Sequence, residues 1–258
     1  MNMLRVVLVL WLLLVLSGCI FLDVSCQDTA IPLYPKKISG SIHLTNAVDI
    51  NDTYYTDTED NQDPGRVGGT IIYGVKANVG ISPRADLAFT MARDKSNSSG
   101  SGLYTTSEDS SQSMHAKFGV KYLLSHHDKT YVSVLPSLYL AHGEESGSDY
   151  SSSSHSSDSY AYEYGAAGVE AQLLVTHQIA KWVSATFVAR SQINRIRKNL
   201  DGQEYGPYVT SNFGIRGNIR LSAGIFHITP EFGLEMFPIV HGDPYIARIG
   251  SLGFGLQF

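Results

Sequence analysis

The groups in this chain best placed to do chemistry recur at even spacings. His115, Lys117 and Lys121 form one series, Arg216 and Arg220 a second, and His227, Glu231 and Glu235 a third. His43, Lys76, Asp86 and Arg190 lie in alternating runs of the same kind. Residues two or four apart in an extended backbone project from one face, so these groups would share a wall. Mixed cations and anions on one wall suit either pairing across an interior or a thin water-filled passage. They do not suit catalysis. The sequence has no G-x-S-x-G and no H-E-x-x-H, and no Ser, His and acid meet on firmly placed strands. No catalytic residue is assigned, and the chain is not expected to be an enzyme.

Two clusters could be drawn as metal sites. Asp49, Asp52, Asp57, Glu59, Asp60 and Asp63 crowd one segment, but their spacing matches no EF-hand loop. His142, Glu144, Glu145, Asp149 and His155 fall in a serine-rich stretch whose composition favours mobility over a fixed coordination shell. Both read as solvated, with no metal and no other cofactor. Cys19 and Cys26 both precede the rest of the chain, so no disulfide framework or cysteine metal site is available to the body. A net charge of −5 across 258 residues gives no basic footprint for nucleic acid.

The elements that would position these groups are strands. Val209, Phe213, Ile215, Ile219 and Leu221 alternate with Thr210, Asn212, Arg216, Asn218 and Arg220. Phe226, Ile228, Phe232, Leu234 and Met236 alternate with His227, Thr229, Glu231 and Glu235. Ala116, Phe118, Val120, Tyr122 and Leu124 alternate with His115, Lys117, Gly119 and Lys121. The same period of two predicts strands at about 37–48, 66–79, 84–94, 113–124, 130–142, 160–176, 182–192, 207–221, 224–237 and 247–258. Gly165, Ala166, Ala167 and Gly168 interrupt the phase of 160–176, which a bulge would explain. Connections alternate between long ones, at 49–65, 95–112, 143–159, 193–206 and 238–246, and short ones at 80–83, 125–129, 177–181 and 222–223. The fold class is all-β: a single up-and-down antiparallel barrel of about ten strands, with eight or twelve as alternatives. Each strand is long enough to cross a bilayer at a tilt, which takes roughly 9–11 residues.

The first residues read as an export address. Arg5 precedes an unbroken apolar run from Val6 to Leu16, as in a secretory signal peptide. Leu16, Ser17, Gly18 and Cys19 follow and resemble the lipobox of bacterial lipoproteins, which implies lipidation at Cys19. Ordinary cleavage near Cys26 and an uncleaved anchor from Val6 to Leu22 remain open beside it. The expected division is a signal peptide at 1–18, a periplasmic linker at 19–36 and a barrel at 37–258.

At the other end Leu252, Phe254, Leu256 and Phe258 alternate with Ser251, Gly253, Gly255 and Gln257. This segment resembles the assembly signal of Gram-negative outer-membrane β-barrel proteins. The resemblance implies a transmembrane barrel of the cell envelope, with outer-membrane lipid around it and the barrel-assembly machinery as a partner during biogenesis. The polar face then becomes the lumen: His43, Lys76, Asp86, His115, Lys117, Lys121, Arg190, Arg216, Arg220, His227, Glu231 and Glu235. Ten strands leave a narrow interior. Six lysines and arginines against three carboxylates would favour small anions in a porin-like channel, unless the charges pair and fill the lumen. Tyr54, Tyr55, Tyr104, Tyr150, Tyr160, Tyr162, Tyr164, Tyr205 and Tyr208 are expected near an outer aromatic girdle.

Function divides between a non-enzymatic structural or surface barrel acting through its loops and a narrow channel for small solutes or anions. A lipid-anchored soluble barrel or sandwich is a further alternative, in which the apolar face would point inward. No surface ligand is named by the sequence, and the oligomeric state is open.

Overall fold

The computed structural model describes residues 28–49, 67–101, 105–151, 156–200, 203–237 and 245–258. The acidic segment from 52 to 63 and Cys19 therefore lie outside the described residues. Ten strands follow one another: β1 (Ile38–Asp49), β2 (Val67–Ser82), β3 (Ala85–Ser101), β4 (Thr105–His127), β5 (Thr130–Ser151), β6 (Ser156–Ala180), β7 (Val183–Leu200), β8 (Gln203–Ala223), β9 (Phe226–Phe237) and β10 (Tyr245–Gln257). Each pairs antiparallel with its chain neighbours, and β1 pairs with β10 to close the barrel. At the seam Ile42 faces Phe254 and Leu44 faces Leu252, and Ile38 and Phe258 exchange backbone hydrogen bonds of 3.1 and 2.8 Å. Closure leaves no sheet edge, as lipid requires of a spanning sheet.

The polarity is inverted relative to a soluble protein. Phe232, Leu138, Phe226, Ile42 and Leu140 point outward with 60–70% of their surface exposed, while charged side chains such as Lys76, Asp86, Lys117, Glu170, Arg190, Arg216 and Glu235 are buried inside. That outward apolar surface rules out the soluble barrel, whose apolar face would be its core. Tight two-residue turns join the strands at the end where β1 begins and β10 ends, and Gly224 and Asp128 take the positive φ that such turns require.

Three departures from the sequence expectation follow from backbone pairing. The described parts of the stretches 95–112, 143–159 and 193–206 are extensions of β3 to β8, paired out to Ser101–Thr106, Ser151–Ser156 and Leu200–Gln203. Serine, glycine and aspartate have weak strand preference, but consecutive neighbours on both sides supply a continuous ladder. β4, β5 and β6 reach 23, 22 and 25 residues, at least twice the roughly 9–11 that a bilayer needs.

The bulge expected at 165–168 is absent too. Gly165 to Gly168 pair in unbroken register with both neighbours, and the shift in β6 falls between Gln178 and Ala180. Small residues hid the alternation without breaking it. A Cβ at Gly168 would strike the Ile193 carbonyl oxygen and Asn194, so glycine is needed there for close strand approach.

The segment expected as a periplasmic linker enters the barrel. Asp28, Thr29, Ala30 and Leu33 are buried in the lumen, because their backbone groups find partners on the wall.

Candidate functional site

The residues assigned to the lumen from sequence face inward, and most of them meet in clusters at successive heights. Nearest the short turns the N-terminal segment lies across the lumen. The Asp86 carboxylate accepts from the Leu33 backbone N–H at 2.9 and 3.1 Å and pairs with Lys121 at 2.7 Å. Lys121 also donates to the Ile31 carbonyl at 3.0 Å, and Ser133 to that of Ala30 at 2.6 Å. Asp28 is engaged by Lys76. Burial favours its neutral form, but attraction from Lys76, Lys121 and Lys117 prevails and holds its carboxyl below the ordinary range. Ala30 packs with Ala88, Leu135, Leu174 and Val188, so this level is partly an apolar core.

At mid-height the charges form one chain from β4 to β9. Lys117 contacts Glu170 at 3.3 Å, and Arg190 binds the second Glu170 oxygen at 2.9 Å. Arg190 Nε lies 3.7 Å from Glu235, which accepts from Arg216 at 2.6 Å, and Arg216 reaches Glu231 at 3.4 Å. Gln172 donates to Glu170 and Asn212 to Glu235, at 2.6 and 2.7 Å. These carboxylates and guanidiniums are fully buried, where attraction between ions is strong and an unpaired ion is costly.

Above this lies a cluster around His115. Asp94 and Ser113 both meet His115 Nε2, and Tyr139 bonds the Nδ1 side. A serine relay needs the acid and the serine hydroxyl on opposite ring nitrogens, whereas Asp94 and Ser113 share Nε2. Tyr139, Ala141, Tyr164, Ala166 and Ile196 pack together there and fill the interior. Higher still, Lys198 donates to the Tyr162 hydroxyl at 3.0 Å and stands over its own partner's ring at 4.2 Å.

Sequence reasoning missed Asp28, Asp94, Glu170 and Tyr139. Asp28, Asp94 and Glu170 join Asp86, Glu231 and Glu235, so the lumen holds six carboxylates in place of three; five of them contact lysines or arginines and Asp94 contacts His115. Tyr160, Tyr162 and Tyr164 share the inward phase of Glu170 and do not belong to an outer girdle, whereas Tyr205 and Tyr208 are exposed. Tyr54, Tyr55 and Tyr104 lie outside the described residues. His142 points outward while Glu145 turns inward, so the serine-rich cluster is split across the wall. Among the described residues no three His, Cys, Asp or Glu side chains gather as a metal site would require. Leu252, Phe254 and Phe258 are exposed on the outer face of β10.

No family model and no curated relative matches the chain. Solved structures with a similar course include the transport unit of the autotransporter AIDA-I from Escherichia coli, at 7% identity and TM-score 0.48, covering 92% of this chain and 93% of that one. The translocator domain of the autotransporter NalP from Neisseria meningitidis is similar at 12% identity and TM-score 0.45, covering 86% and 88%. Ail, the attachment invasion locus protein of Yersinia pestis, is similar at 13% identity and TM-score 0.37, covering 87% and 99%.

Proposed function

We propose that this protein is an outer-membrane barrel, closed to solutes along its lumen, that acts non-enzymatically through the long hairpins it raises beyond the lipid. One observation carries the reading: five of the six lumen lysines and arginines contact carboxylates, while β4 to β6 run far past the length a bilayer needs. An interior crossed by paired ions and packed tyrosines holds a shape. The exposed length is then what remains to meet other molecules. The polar atoms Asn78 Oδ1, Thr210 Oγ1 and Thr229 Oγ1 are buried without protein partners. Such groups call for water, and this local hydration is what favours the second reading, a narrow channel.

The placement is tested by labelling intact cells with a membrane-impermeant maleimide. Ser146→Cys, on the extension of β5, should label in whole cells beyond the background of the parent protein. Lys181→Cys, in a short turn, should label only after lysis. The reverse pattern would overturn the orientation, and no labelling of Ser146→Cys would remove the surface role.

A further inference from the structure

Arg220 stands apart from the other lumen cations. Lys76, Lys117, Lys121, Arg190 and Arg216 each contact a carboxylate. Arg220 forms no ion pair among the described residues. One of its Nη2 hydrogens is directed at His227 Nε2 at 3.3 Å, and its Nε is buried without a partner. Asp28 acts on it only through space, its carboxylate being held by Lys76.

Arg220 borders a cavity of about 330 Å³ at the short-turn end of the barrel, between the N-terminal segment and the wall. Lys37 and Lys181 stand in its lining, and no Asp or Glu side chain does. Ser184 lies directly across from Arg220 on β7, and Ser222 across from His227 on β9. A guanidinium with free donors, flanked by hydroxyls and further cations in a lining without Asp or Glu side chains, matches the planar or tetrahedral oxygens of an anion. A liquid water occupies about 30 Å³, so the space admits an oxyanion together with several waters.

We propose that this cavity binds a small oxyanion, a phosphate or carboxylate group, with Arg220 as its principal partner and Ser184, Ser222 and Lys181 around it. Trp182, Ile225, Phe226 and Phe258, exposed on the outer apolar surface, also line the cavity. A phosphate can therefore arrive free from solution or on a lipid headgroup.

The test uses the refolded full chain in zwitterionic detergent at low chloride. Calorimetric titration with inorganic phosphate is one arm. The other is native mass spectrometry after exposure to nanodiscs of phosphatidylglycerol or of phosphatidylcholine. Saturable binding of phosphate, one per barrel, is expected. It should weaken at least tenfold in Arg220→Gln and vanish in Ser184→Asp, which sets a carboxylate against Arg220 without removing it. Retention of phosphatidylglycerol alone, lost in both variants, identifies the headgroup as the source. Binding of neither probe, or binding unchanged in both variants with the barrel folded by its heat-dependent gel mobility, overturns the proposal.

Discussion

Glu170 is shared by Lys117 on one oxygen and Arg190 on the other, with Gln172 donating as well. Removing one partner of a buried ion pair leaves the other charge uncompensated, at a cost of about 3–5 kcal/mol. Glu170→Gln should therefore lower the thermal unfolding midpoint sharply, read by gel mobility against temperature. The double variant Glu170→Gln with Arg190→Gln should recover part of the loss. An unchanged midpoint in the single variant would show that the network is not stabilised by this carboxylate. Glu170 shares its phase with Gln172, and Asp94 with Asp86 and Thr90, so both were readable in the sequence. The small residues from Gly165 to Gly168 masked the first, and the early end assigned to β3 pushed the second to its margin. Asp28 carried no such signal, because it reaches the lumen on a non-strand segment that has no period.

The strands themselves were legible where large apolar and charged residues alternate, as in β4 from His115 to Leu124 and in β9. Their outer ends were not. Ser110 and Ser146 hydrogen-bond each other across β4 and β5 at 3.1 Å, yet nothing in a serine-rich sequence distinguishes such a ladder from a loop. The same element scale explains the glycines of β6. A methyl at Gly168 meets backbone of β7, whereas one at Gly165 meets nothing within 4 Å. Gly168→Ala should cost about 1–3 kcal/mol, as overpacking does, and Gly165→Ala should be close to neutral in the same unfolding assay. Equal effects at the two positions would mean that close approach of β6 and β7 does not constrain the barrel.

For the whole molecule, ten alternating runs with alternating connection lengths were enough to read a closed barrel of ten strands. The state of the lumen was not readable, because it depends on which charges meet. Three sequence-named carboxylates suggested a basic passage, and three more from β3, β6 and the N-terminal segment offset that excess of cations. The N-terminal segment, the ion chain from Lys117 to Glu231 and the Tyr139–Tyr164 cluster lie within it at successive heights, which is what the proposed closed lumen rests on. Single-channel recording of the refolded chain in a planar bilayer tests this most directly. A silent bilayer, from protein shown to be folded and inserted, is the predicted result. Discrete, reproducible openings would contradict the closed lumen and restore the narrow channel.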